Sequence, residues 1–293
     1  MPESLKVLRR RVRTVRNTKQ ITRAMEMVSA SKLRRAQASL FAARPYIRNM
    51  EMLLARLAPE ADAAGHPLFV QRRVKRSTLV VFTADRGLCG SYNANIIRIA
   101  ESHLRDLPRG RMDLICVGRR GHQYFSKRAW PIVGRFTDMG GVLNLDQSRS
   151  LSDYLRDRFL YGETDEVYLL YTSFVSTSVH KVVFEKFLDL DESALAAKVP
   201  ADDRAPIDYI FEPSRERVFE KLVPAYLEAK VFITLAESFT SEHAARMLAM
   251  NSASNNCDEM RDTLTLRLNK ARQGTITGDL LDIVGGAEAL QKG

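Results

Sequence analysis

Residues 80–104 read VVFTADRGLCGSYNANIIRIAESHL. The stretch opens on a short apolar run of strand length, passes through a turn marked by Gly87 and Gly90, and continues with helical spacing at Ile96, Ile97 and Ala100. Strand, glycine turn and helix in that order begin many nucleotide-binding α/β domains, so the loop at 83–91 has to be tested for a phosphate grip. It carries neither G-x-G-x-x-G nor G-x-x-x-x-G-K-[ST], no lysine follows Gly90, and no acidic residue stands about 20 positions on after a second strand. A tight strand-to-helix turn with Cys89 packed inside is the expected structure, and no cofactor is expected.

Outward from that stretch the strand-like runs continue. STLVVFTA, MDLICVGR, WPIVGRFT, DEVYLLYTSF and VVFEKFLDL read as strands, with helices expected around 93–106, 120–128 and 147–161. Alternating strands and helices predict a central Rossmann-like α/β domain over 77–212, built on a mostly parallel sheet. Residues 1–60 predict one long helix: Leu5, Leu8, Val12 and Val15 are spaced 3, 4, 3, and Ile21, Met25 and Val28 continue an apolar face, with Leu33, Ala36 and Leu40 beyond. A linker composition fills 61–76. Residues 213–293 predict a second long helix, capped by Ser214 and kinked or restarted at Pro224, with Met250, Ala253, Cys257, Met260 and Leu264 on its stripe. Leu268, Ala271 and Thr275 then follow at 4, 3, 4, and the two successive fours predict an 11-residue phase. At about 1.5 Å per residue the helices span roughly 80 and 100 Å. Neither buries its stripe alone, so the fold class is α/β with the terminal segments paired as a long antiparallel two-helix coiled coil.

The chain has 293 residues and a net charge of +10, all of which arises within the first 60 residues. An acidic partner along that arm is implied. Three cysteines without close spacing exclude a disulfide framework and a zinc pattern. The five histidines are scattered singly, and Glu237, Glu242, Ser238 and Ser241 are read as a solvated helix face. GRRGHQYFSKR (118–128), basic with aromatics, is explained equally by nucleic-acid contact and by a helix with a Tyr124–Phe125 core edge. No apolar signal core or membrane-length run is present in the sequence. No catalytic triad, carboxylate pair or metal cluster emerges.

Three blocks, NTKQITRAMEMVSASKLRRAQ (17–37), TADRGLCGSYNANI (83–96) and SEHAARMLAMNSASNNCDEM (241–260) with LTLRLNKARQGTITGDLLDIVGGAEAL (264–290), resemble the gamma-subunit family of F-type ATP synthases, and the resemblance runs over residues 4–290. It implies a non-catalytic central-stalk rotor that couples c-ring rotation to conformational cycling of three catalytic beta subunits. The implied partners are three alpha and three beta subunits, the epsilon subunit and the c ring. Membrane contact is made only through that ring, on the cytoplasmic face of a bacterial plasma membrane. It also implies site residues. Arg272 and Gln273, with Thr277 and Asp279, resemble the group that meets a beta-subunit catch loop. Met25, Glu26 and Arg23 resemble the zone facing the beta lever loop, Met25 being equally readable as core. Tyr209, Phe211 and Glu212 in DYIFEP resemble the surface that meets the c ring and epsilon. Ile283, Val284, Gly285, Gly286 and Leu290 resemble the tip that turns in an apolar bearing, where the paired glycines imply close packing. The sequence departs from the family at Leu268, usually aromatic, and at Gly274 and Gly278, usually alanine and glutamine. The cysteine pair of chloroplast relatives is missing from 190–215. Two competing readings are a basic-helix nucleic-acid binder and a nucleotide-dependent enzyme; the first lacks interleaved aromatics, the second a phosphate loop.

Overall fold

The computed structural model describes residues 4–63, 67–69, 72–105, 111–190, 212 and 214–291. The elements run α1 (Leu5–Ala63), β1 (Ser77–Phe82), α2 (Tyr92–Arg105), β2 (Met112–Val117), α3 (Arg119–Ser126), β3 (Ile132–Phe136), α4 (Leu145–Leu160), β4 (Glu166–Phe174), β5 (His180–Leu188) and α5 (Arg215–Gln291). The chain divides into two compact units: residues 1–28 with 247–293, and residues 29–246.

In the second unit the strands form one sheet in the order β3-β2-β1-β4-β5. The first four are parallel, and β5 returns antiparallel to β4. All six residues of β1 and all six of β2 are buried, the pattern of parallel strands covered on both faces. Leu79, Val81, Leu114 and Cys116 join Ile96, Leu104 and Phe125 in one cluster beneath α2 and α3. The opposite face meets α4, where Tyr154 stands so close over Gly134 that a Cβ there would lie 2.9 Å from its ring. Strand order reverses between β1 and β4, which makes the C-terminal edge at that point the topological switch point of the sheet.

The terminal helices form as expected, with two changes. Ser214 does cap α5: its hydroxyl accepts the Arg217 N–H at 3.4 Å and its carbonyl the Val218 N–H. Of the two alternatives at Pro224, a restart does not occur, because the helix is continuous across it. The apolar seam, however, runs on different residues from those the spacing suggested. Ile21 and Val28 are 61% and 57% exposed. The inward positions of α1 are Leu5, Leu8, Val12, Val15, Lys19, Thr22, Glu26, Ser29, Leu33, Ala36 and Leu40, a heptad spacing of alternating 3 and 4 without a break. It turns polar at 19–29, and following only apolar side chains loses its phase there. On α5 the inward line is Met250, Ser254, Cys257, Arg261, Leu264, Leu268 and Ala271, again alternating 4 and 3. Met260 is 54% exposed, so the 11-residue phase does not occur.

Within the first unit the helices are antiparallel. Asn251 donates to Glu26 at 3.0 Å, and Lys19 meets Asp258 at 2.6 Å; seven residues back along α1 is seven forward along α5. The second unit repeats the step, with Arg44–Glu237 at 2.9 Å and Lys230–Glu51 at 3.2 Å.

Leu40 is fully enclosed. Leu40→Ala is expected to cost about 3 kcal/mol of unfolding free energy, whereas Ile21→Ala, on the outward face, stays within roughly 0.5 kcal/mol. Denaturant titration of the two variants checks the assigned seam; a larger loss for Ile21→Ala contradicts it.

Candidate functional site

Two places deserve the test of function, the switch-point crevice and the surface of the paired helices. The crevice comes first because nucleotide-binding sheets bind there. In this chain it is filled by α5. Every residue from Ile233 to Ala244 is buried, so its polar side chains are under pressure to find partners; the Ser238 hydroxyl has none among the described residues. Glu237 accepts the Arg44 guanidinium, the Ser173 hydroxyl at 3.2 Å and the Phe174 N–H at 2.6 Å, at the C-terminal end of β4. Ser241 donates to the Thr172 carbonyl. Arg246 pairs with Glu242 at 2.7 Å and donates to the carbonyls of Arg86 and Gly87, both at 3.3 Å. The glycine loop therefore turns carbonyls towards a cation, where a phosphate loop would turn N–H groups towards an anion. Cys89 is buried as expected and accepts a hydrogen bond from the Asn93 amide; Asn93 in turn accepts the Ala84 N–H.

Glu237, Ser238, Ser241 and Glu242 are thus not a solvated face. The correction has a visible sequence signal: no Lys or Arg occurs between Lys230 and Arg246, and the interval is dense in Ser, Thr and Ala. A helix exposed on one side rarely lacks Lys and Arg for four turns. Burial pushes the Glu242 carboxyl up, with Arg246 opposing. His243 is driven down to about 4, first by burial. Its Nε2–H donates to the Gly141 carbonyl at 2.8 Å, and its Nδ1 has no partner among the described residues. Gly141 has φ +66°, and a Cβ on it would strike the His243 ring at 2.8 Å, so this turn admits only glycine.

The helix pair offers a different kind of site. Leu8 is buried near the start of α1, and inward positions on α5 persist to Ala271. Beyond it Arg272, Gln273, Thr277 and Asp279 are exposed, and Arg272 makes no ion pair among the described residues. Ile276, Leu280, Ile283 and Val284 form an exposed apolar face. A Cβ on Gly274, Gly278, Gly285 or Gly286 would meet nothing within 4 Å among the described residues. Glu26 is half-buried between Asn251 and Arg23, and Arg23 keeps 58% of its side chain exposed. Met25 is half-buried. Glu212 is exposed; Tyr209 and Phe211 lie outside the described residues, and Leu290 sits in the last turns of α5. No helix among the described residues is long and apolar enough to cross a membrane.

His243 has a pH signature. Its folded pKa lies below its unfolded value of about 6.5, so its contribution to stability is full above pH 6.5. That contribution is lost as pH falls towards 4, because the unfolded chain takes up a proton that the native site refuses. The loss is roughly 3 kcal/mol over that window. Glu242, raised, acts in the opposite sense and is common to both proteins compared. The difference in unfolding free energy between the parent and His243→Gln should therefore shrink between pH 7 and pH 4.5, measured by urea titration; a pH-independent difference contradicts the assignment.

Comparison with known proteins agrees with this geometry. The family model described as ATP synthase matches residues 4–290. The ATP synthase gamma chain of Moorella thermoacetica is 44% identical over 284 residues, covering 97% of this chain and 98% of that one. The gamma chain of Desulforamulus reducens is 41% identical over 288 residues, covering 98% and 99%. Among solved structures, the central stalk and c ring of Tetrahymena thermophila mitochondrial ATP synthase has a chain 25% identical with TM-score 0.63, covering 80% of this chain and 99% of its own. A chain of the Euglena gracilis mitochondrial enzyme shares the fold at TM-score 0.68 and 18% identity, covering 99% and 95%. A family model that spans nearly the whole chain, and relatives above 40% identity over almost their full length, settle the assignment: it belongs to the family of ATP synthase gamma chains.

Proposed function

We propose that this chain is the central-stalk rotor of a proton-translocating F-type ATP synthase. It is a subunit of an ATPase complex and does no bond chemistry itself. The observation that carries the reading is the bare end of α5: from Arg272 onward the helix has left its α1 partner, and its polar and apolar faces are both exposed. Nothing among the described residues of this chain covers it, and other chains can. A ring of three alpha and three beta subunits supplies such a surround.

The mechanism follows from asymmetry. A single helix pair presents a different face to each of three equivalent neighbours, and each beta subunit is biased towards a different conformation. A differential of a few kcal/mol per site shifts a two-state population strongly. Turning the pair carries each site through the same sequence of states.

In this reading Arg272 pairs bidentately with a carboxylate of a beta catch loop, with Gln273, Thr277 and Asp279 beside it. Arg23, with Met25 and Glu26, faces the acidic lever loop. Glu26 already holds Asn251 and Arg23, so Arg23 is the group left to reach outward. The basic arm of α1 meets acidic surface on the ring. Ile283, Val284, Gly285, Gly286 and Leu290 turn in an apolar sleeve where few directional bonds have to break. Tyr209, Phe211 and Glu212 meet the c ring and the epsilon subunit. The chain is peripheral, on the cytoplasmic face of a bacterial plasma membrane. The filled switch-point crevice supports a non-catalytic role.

Co-purification tests the reading directly. Tagged chain expressed in its source cell should bring down alpha and beta subunits, each in threefold excess; recovery without them defeats the rotor assignment. Arg272→Ala in the assembled complex should lower ATP hydrolysis coupled to proton pumping by about tenfold, the loss of one charge-assisted contact, with the chain still folded by circular dichroism. Unchanged turnover removes the catch contact.

A further inference from the structure

The loop that opened the sequence reading does not grip a phosphate, yet the sheet edge beside it is shaped for an anion. Three backbone N–H groups converge there. One belongs to Arg119, the first residue of α3, and two to Asp138 and Gly140 in the turn after β3. Asp138 and Gly140 have φ of +68° and +64°, left-handed conformations that bring the two amides on either side of Met139 towards one carboxylate, much as anion-binding nests gather N–H groups. Cations surround them: Lys32 donates to the Gly140 carbonyl at 3.3 Å, Arg119 pairs with Asp138, and the Arg120 guanidinium lies against Gly87. The group at the focus is the Asp85 carboxylate. Its Oδ1 accepts from Arg119 N and Asp138 N, both at 3.0 Å, and its Oδ2 accepts from Gly140 N at 3.1 Å.

We infer that Asp85 is a built-in anion: its carboxylate occupies a cradle that would otherwise take a small oxyanion, and it ties together the three loops that follow β1, β2 and β3. The inference stands on this geometry alone and does not depend on the rotor reading. Two physical points carry it. A carboxylate accepting three backbone N–H bonds is held by charge-assisted contacts, each stronger than a neutral one. The same three donors, with Lys32, Arg119 and Arg120 around them, present to solvent in the absence of Asp85 what a helix N-terminus and nest present to formate, acetate or phosphate. Asp85 also explains the sequence: an acidic residue stands in the loop between Ala84 and Arg86, where a phosphate loop would leave the space open.

The test is hydrogen–deuterium exchange of the full chain, read at the amides of Arg119, Asp138 and Gly140. Asp85→Ala should raise exchange at all three by roughly tenfold. Added formate or inorganic phosphate should restore protection, and chloride at equal ionic strength should not. The parent chain should respond to neither. Asp85→Asn, which preserves the side-chain shape, covers the case of a poorly folded alanine variant: it keeps one acceptor, so Arg119 and Asp138 stay protected, Gly140 alone is released, and formate has no effect. Protection unchanged in Asp85→Ala overturns the inference. So does recovery with chloride equal to that with formate or phosphate, an equal response of the parent chain, or uniform protection in Asp85→Asn.

Discussion

The burial of α5 across the C-terminal edge of the sheet is the constraint that the rest of the larger unit answers to. A helix enclosed on all sides from Ile233 to Ala244 is stable only if its polar groups are matched, because an unpaired buried charge costs several kcal/mol. The charged side chains in and beside that run reach several elements, and Glu242 is matched by Arg246 on α5 itself. Lys230 meets Glu51 on α1 and Glu185 on β5, Glu237 meets Arg44 and the end of β4, and Arg246 meets the loop after β1. His243 meets the turn before α4. The ionic and hydrogen-bonding contacts are therefore not decoration on a hydrophobic core. They set where the helix lies, and by lying there it fills the crevice where relatives of this sheet architecture bind ligands.

The smaller unit solves a different problem. Two helices with a fully apolar seam would adhere strongly but specify their register poorly. Here the heptad positions at 19, 22 and 26 are polar: Lys19 and Glu26 meet Asp258 and Asn251 one heptad apart, and Thr22 donates to the Lys19 carbonyl. Polar seam residues define register at some cost in adhesion. The Lys19–Asp258 pair is about one-third exposed on each side, so its contribution is alignment more than stability. An axle that has to present one fixed face to each neighbour needs that alignment, since a slip of one heptad would rotate no residue off the seam yet displace every outward contact along it.

The glycines at the end of α5 fit the same division of labour. Among the described residues nothing crowds Gly274, Gly278, Gly285 or Gly286. Each weakens the helix by roughly 1 kcal/mol relative to alanine, and that cost is not returned by any packing among those residues. In the proposed rotor this stretch would run among other subunits, where a surface without side chains lets a neighbouring backbone approach closely.

Local chemistry was legible in the sequence. The five strands, the five helices between and beyond them, the absence of a phosphate-loop motif and the buried Cys89 follow from apolar run length, period and turn residues. Pairing of the two ends was legible too, because neither stripe has anything else long enough to cover it. The resemblance to the gamma subunits supplied Arg272 and its neighbours, which spacing alone marks only as charges on a helix. Tertiary structure alone decided which polar residues face inward. Thr22, Glu26 and Ser29 hold the heptad while Ile21 and Val28 point out, and Glu237, Glu242 and His243 are interior. Asp85 found its three amides in loops 34 and more residues away. Burial of a polar side chain depends on whether a partner waits at the place where the chain folds back, and that partner is nowhere near it in sequence.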